Sequence, residues 1–154
     1  MARDWLFETD EGTCNFRCAG VIMRNGKVLL QRDQGEYALI GGQVRIGETG
    51  ENAVIREFQE ELGVRIRCGQ MLWSEECFWQ WKGRMTHTLS FYYQIDFCEG
   101  SDFPDDGGFR SQLDNSRVEI GWVPLEKLKE LTVYPAFLKE RIFDLKKGHF
   151  ITRA

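Results

Sequence analysis

Residues 42–64 read GQVRIGETGENAVIREFQEELGV. Helical periodicity runs over Thr49–Leu62, because Val54, Ile55, Phe58 and Leu62 return to one face. Thr49 supplies an N-cap hydroxyl and Gly63 a stop. At roughly 100° per residue, Glu60 and Glu61 sit about 60° and 40° to either side of Glu57. All three carboxylates therefore share one face, and the apolar arc is centred about 110° away. The helix packs by one side and presents acids on the other.

Such a helix carries two penalties. Like charges at i,i+3 and i,i+4 destabilise it by a few tenths of a kcal/mol per pair. Acids in the last turn, Glu60 and Glu61, also oppose the helix dipole. A divalent cation removes both penalties, and hard oxygen ligands suit Mg²⁺ or Mn²⁺, which commonly bring phosphates as further ligands. Charge clustering alone leaves a solvated acidic face as the alternative.

Outward from this helix the pattern is strand-rich. Phe16–Met23 alternates as a strand, and Asn25-Gly26 marks a tight hairpin returning through Lys27–Arg32. Tyr37–Ile40 is a short strand ending at Gly41-Gly42. After the helix, Val64–Trp81 and Met85–Phe97 read as two strands about the turn Lys82-Gly83-Arg84. Residues 99–116 form a long loop rich in Gly, Asp and Ser, of the kind that is often functional or mobile. Glu119–Val123 is a short strand; Leu125–Leu131 and Tyr134–Lys147 read as helices. The expectation is one α+β domain over 1–154, a mixed sheet sandwiched between helices in an α/β/α arrangement.

The 154 residues suffice for one core and not for two. The net charge of −4 argues against nucleic-acid or membrane surfaces as partners. No apolar run nears the ~20 residues of a membrane span, and the N-terminus lacks a signal-peptide core. Five scattered cysteines suggest reduced thiols and a cytoplasmic location. The charge is local: Glu48–Glu61 holds five Glu and one Arg, which equals the whole net −4. Bound cations would let that acidic patch take a small anionic ligand.

The spacing of Gly42, Glu48, Arg56, Glu57, Glu60, Glu61, Gly63 and Val64 follows GX5EX7REUXEEXGU, where U is aliphatic. The stretch resembles the Nudix box. The order of elements is similar to the Nudix fold, and Val118–Leu125, VEIGWVPL, looks like that family's terminal strand. Two positions depart from the pattern: Phe58 fills a slot usually aliphatic, and Ile40 stands where Pro is common.

The resemblance implies a metal-dependent hydrolase that splits a phosphoanhydride in a nucleoside diphosphate linked to another moiety. The other reading it leaves open is a nucleotide-binding sensor without catalysis. It implies Glu57, Glu60 and Glu61 as ligands of Mg²⁺ or Mn²⁺, with the Gly41 carbonyl completing the shell. Arg56 would pair with Glu48 and brace the loop. Glu60 or Glu119 would serve as general base. Arg17 and Arg32 are candidate phosphate contacts, Trp79 and Trp81 candidate stacking platforms, and His87 a candidate leaving-group contact. The aromatic segment Trp5-Leu6-Phe7 offers an interface for a homodimer.

Overall fold

The computed structural model describes residues 2–154. The strands, in chain order, are β1 Leu6–Thr9, β2 Gly12–Val21, β3 Met23–Arg24, β4 Lys27–Asp33, β5 Glu36–Ala38 and β6 Ile40–Gln43. Helix α1, Gly50–Leu62, is followed by β7 Ile66–Trp81, β8 Arg84–Phe97, β9 Arg110–Ser111 and β10 Glu119–Pro124. A 3-10 helix, Leu125–Glu130, leads to β11 Thr132–Tyr134, the one-turn α2 Leu138–Arg141 and β12 Gly148–Arg153.

One sheet runs β1-β2-β8-β7-β12, with β6 beside β2; the other runs β11-β5-β4-β10-β9, with β3 beside β4. Pairings β2–β8, β7–β12 and β5–β11 are parallel and the rest antiparallel, so both sheets are mixed. Period-2 alternation sends neighbours to opposite cores. Cys18, Ile22, Leu29, Tyr93, Ile120 and Trp122 join α1 on one side. Ala19, Val21, Val28, Leu30, Tyr92 and Val123 join Leu128, Leu138 and Ile142 on the other. The expected α+β architecture, with helical segments on both faces, is the one observed.

Several expectations change in detail. The Tyr134–Lys147 helix shrinks to Leu138–Arg141, because Tyr134 pairs with Ala38 in β11 and Pro135 cannot continue a helix ladder. The longer strands that the sequence did not mark are β1 on β2 and β12 on β7, beside the short β9 and β11. Both longer ones are edge strands whose residues alternate or stay half exposed, so burial leaves little trace in them. Asn25-Gly26 takes positive φ at both positions, 52° and 73°, as the hairpin requires.

The 99–116 loop is stapled down rather than loose. Arg24 pairs with Asp102 and donates to the Phe103 carbonyl, which also accepts from Trp122 Nε1 at 3.0 Å. Lys27 holds Asp105 at 3.0 Å, and the Phe103 side chain is buried.

Phe58 is fully buried, and its size is matched by Gly20 beneath it. A Cβ on Gly20 would meet Phe58 Cε1 at 3.0 Å and Ile95 Cδ1 at 2.9 Å. The absent methyl on β2 thus makes room for an aromatic ring in the helix. Phe58→Ala should cost ~3–5 kcal/mol. Urea unfolding should show a lower midpoint with an unchanged slope.

Candidate active site

Helix α1 begins where Thr49 Oγ1 accepts the Asn52 amide at 3.1 Å, and ends at Gly63 with φ 71°. Arg56 is the hub of its polar face. Its Nε and Nη2 grip Glu48 at 2.8 and 2.9 Å, a two-point fork. Nη2 also donates to the Gln43 carbonyl at 3.0 Å, and Nη1 to Glu57 at 2.9 Å and Glu60 at 3.3 Å. Glu48 in turn accepts the Arg45 amide at 3.0 Å. The guanidinium beside Glu48 holds that carboxyl below the usual range, and the acids raise the arginine. One side chain thereby ties the 43–48 loop to the helix, as the pairing of Arg56 with Glu48 implies.

Glu57 and Glu61 lie together and below the surface. Glu57 packs on Gly42 so closely that a Cβ there would sit 2.5 Å from its carboxyl and displace it. Glu61 is 7% exposed and its Oε2 has no hydrogen-bond partner among the described residues. Burial raises the Glu57 carboxyl. Burial, then the neighbouring Glu57, pushes Glu61 up to about 9. Without a cation, Glu61 therefore keeps its proton at neutral pH and shares it with Glu57.

Glu60 behaves differently. Its carboxylate is 39% exposed and turns toward Arg56 and toward Arg45, whose Nη2 lies 3.6 Å away. The three acids share a helix face, yet only two converge. Among the described residues no three His, Cys, Asp or Glu side chains already form a cage. The residues nonetheless fit a hard divalent ion: two carboxylates, one buried oxygen without a partner, and a backbone free of side chains at Gly41 and Gly42.

A cleft of about 150 Å³ is lined by Arg17, Leu39, Gly41, Ser90, Tyr92 and Tyr134, and it meets the acids through Gly41, the neighbour of the Gly42 on which Glu57 packs. The Arg17 charge acts on Glu61 in the lowering direction, the weakest of the influences on that carboxyl. In register across the sheets, Gln43, Arg17, Ser90 and Glu75 form one polar row. Asn15 and Thr88 form the next, and Thr13, Thr86 and Trp79 the one after. Trp79 is thus on the cleft face, whereas Trp81 lies beyond it at the hairpin tip, 55% exposed under Lys82.

Other candidate residues stand elsewhere. His87 alternates with Thr86 and Thr88, so it emerges on the opposite face and stacks on Phe78 at 4.3 Å. Arg32 lies over Phe109 at 3.7 Å and pairs with Glu119 at 3.1 Å. Glu119 is therefore tied to Arg32 across the β4–β10 pair. Trp5 packs edge-on against Phe16, so part of the N-terminal aromatic segment is used within the chain. Sequence reading overlooked Asn15, Ser90 and Gln43, although Asn15 and Arg17 stand out as alternate polar residues in an apolar strand.

Residues 15–144 match the model of the NUDIX domain. The chain belongs to the NUDIX family. It is 36% identical over 85 residues to the CTP pyrophosphohydrolase of Escherichia coli (strain K12), covering 51% of this chain and 61% of that protein. It is 29% identical over 115 residues to the mutator-type protein MutT4 of Mycobacterium tuberculosis (strain CDC 1551 / Oshkosh), covering 75% of this chain and 40% of that one. The chain thus spans less than two thirds of the length of these relatives. The mutator MutT protein of Bacillus halodurans superposes with a TM-score of 0.66 over 90% of each chain, at 15% identity, a likeness of fold. The E. coli ORF135 protein superposes at 0.55 with 25% identity, covering 80% of this chain and 82% of that one. The Nudix fold read from the 42–64 segment is therefore the fold present, in a family with pyrophosphohydrolase members. No helix of the described residues is long and apolar enough to cross a membrane.

Proposed function

We propose that this NUDIX chain is a pyrophosphohydrolase that splits a phosphoanhydride in a nucleoside diphosphate joined to another group. The reading is carried by the buried Glu57–Glu61 pair, whose Glu61 Oε2 lacks a partner. Two acids of one charge in a half-dry site are costly unless a cation joins them. Glu57 and Glu61 would hold Mg²⁺ or Mn²⁺, with Glu60 and the Gly41 carbonyl as further donors. A divalent ion there would neutralise diphosphate oxygens and acidify a water.

The protein's own groups supply the rest. Arg56 fixes Glu57 and keeps the 43–48 loop against the helix, so the acids are in place before substrate arrives. Arg17, exposed at the cleft, offers its guanidinium to a phosphate oxygen. Of the two acids proposed to take the proton from water, Glu60 lies on the same helix as the pair and beside Glu57 on Arg56 Nη1. Glu119 is engaged by Arg32. The CTP pyrophosphohydrolase relative supports nucleotides as the substrate class.

The test is a panel of nucleoside triphosphates, nucleotide sugars and dinucleoside polyphosphates assayed for phosphate, pyrophosphate or monophosphate release. With Mg²⁺ or Mn²⁺ the protein should turn over at least one. EDTA should abolish turnover and added metal restore it. Turnover indifferent to EDTA would overturn the metal, and tight nucleotide binding with no turnover would mark a sensor instead.

A further inference from the structure

The cleft face of the sheet carries a relay of three side chains that ends on an unused amide. Trp79 Nε1 donates to Thr88 Oγ1 at 3.2 Å, and Thr88 Oγ1 meets Asn15 Oδ1 at 2.6 Å. An indole N–H can only donate, so the Thr88 hydroxyl must accept it. Its own proton stays free to go onward, to the Asn15 Oδ1. The distance agrees: 2.6 Å suits O–H···O and falls below the roughly 2.7–3.2 Å of N–H···O. The Asn15 oxygen therefore faces Thr88, and its NH₂ group faces away. Among the described residues nothing accepts from that NH₂.

Asn15 is half buried on β2, two residues before Arg17 and on the same face. The Arg17 row borders the cleft, and the Asn15 row continues it away from Glu57 and Glu61. A diphosphate held at the acids and Arg17 would project its attached group along this polar floor. There it would meet a donor whose sense is preset by Thr88 and Trp79.

We propose that Asn15 reads the group joined to the diphosphate, donating its side-chain N–H to a carbonyl-type acceptor. Thr88 and Trp79 are positioning residues that hold the amide in that sense. The assignment rests on the pyrophosphohydrolase reading for where the diphosphate lies. A base or similar moiety with an oxo group toward Asn15 is accepted, and one with an amino group there leaves two donors opposed.

The test uses the full chain with matched substrate pairs, UTP with CTP and GTP with ATP. Ratios of kcat/KM are read with Mg²⁺, and ratios of Kd by calorimetry in Ca²⁺ without turnover. Asn15→Asp keeps the shape but replaces the donor by an acceptor. It should shift the ratio within a pair about tenfold or more toward the amino-bearing member. Thr88→Val should narrow the parent's ratio several-fold, and Thr88→Ser, which keeps the hydroxyl, should leave it unchanged. A merely structural Thr88 would lower stability without moving the ratio, so thermal melts are recorded alongside. Ratios unmoved in Asn15→Asp, or equal in Thr88→Val and Thr88→Ser, overturn the assignment. Absence of turnover by the parent chain strikes only at the hydrolase reading, because the Kd ratios still decide Asn15.

Discussion

Glu61→Gln should remove metal-dependent turnover by on the order of 10²–10³-fold while making the metal-free protein more stable at alkaline pH. The two effects have one source. Glu61 is buried against Glu57, and its carboxyl titrates near 9 in the folded chain instead of at 4.5. The folded state then binds a proton that the unfolded state has lost. The stability this supplies is fully present below about 4.5 and drains away as pH rises through about 9. A glutamine amide donates to Glu57 as the protonated acid does, but it never ionises. Melting curves in chelator at pH 5 and pH 9 should therefore diverge for the parent and lie closer together for Glu61→Gln. Saturating Mg²⁺ should stabilise the parent most at high pH, where both acids ionise against the ion. A parent whose metal-free stability is flat over this range would sink the account.

Arg56→Ala should be the most damaging single change outside the pair. The side chain is 17% exposed and contacts Glu48, Glu57, Glu60 and the Gln43 carbonyl. Removing it strands Glu48, 17% exposed, and Glu57, 13% exposed, without their cation. Breaking a buried pair from one side costs ~3–5 kcal/mol. Arg56→Lys keeps the charge but not the fork and should recover only about half of that. Because Glu57 and the 43–48 loop lose their tether, kcat should also fall by roughly 10–100-fold at saturating metal. Urea unfolding and steady-state kinetics read the two effects separately. If Arg56→Ala unfolds at the parent's midpoint, the hub does not hold the loop.

Much of the fold was legible because its signals are local. The Asn25-Gly26 turn, the Thr49 cap and the Gly63 stop each depend on a few neighbouring residues, and each is observed as read. The alternation in Phe16–Met23 and Met85–Phe97 likewise marked the strands that became β2 and β8. Strand β12 escaped because its pairing with β7 joins residues more than seventy positions apart, such as Thr152 and Glu75. Its half-exposed side chains carry no continuous apolar run. The Tyr134–Lys147 helix was over-read for the converse reason. Its apolar spacing is real, and Leu138 and Ile142 are buried, but short turns and β11 satisfy that spacing as well as a helix would.

The candidate site divides along the same line. Helical spacing alone put Glu57, Glu60 and Glu61 on one face, since 3.6 residues per turn is a property of the chain itself, and the family resemblance implied Arg56 with Glu48 as a pair. The order of those residues also carried the family. Distance and solvent are not properties of spacing, and the folded structure decided them. It packed Glu57 against Gly42, buried Glu61 and left one Glu61 oxygen without a partner. It drew Glu60 aside to two arginines, sent His87 to the far face, and tied Glu119 to Arg32. It also set the sense of the Asn15 amide through Thr88 and Trp79, residues that reach it only because β2, β8 and β7 lie side by side. Periodicity fixes which residues point the same way along one element. Whether they meet, and what water they lose, depends on elements brought together from distant parts of the chain.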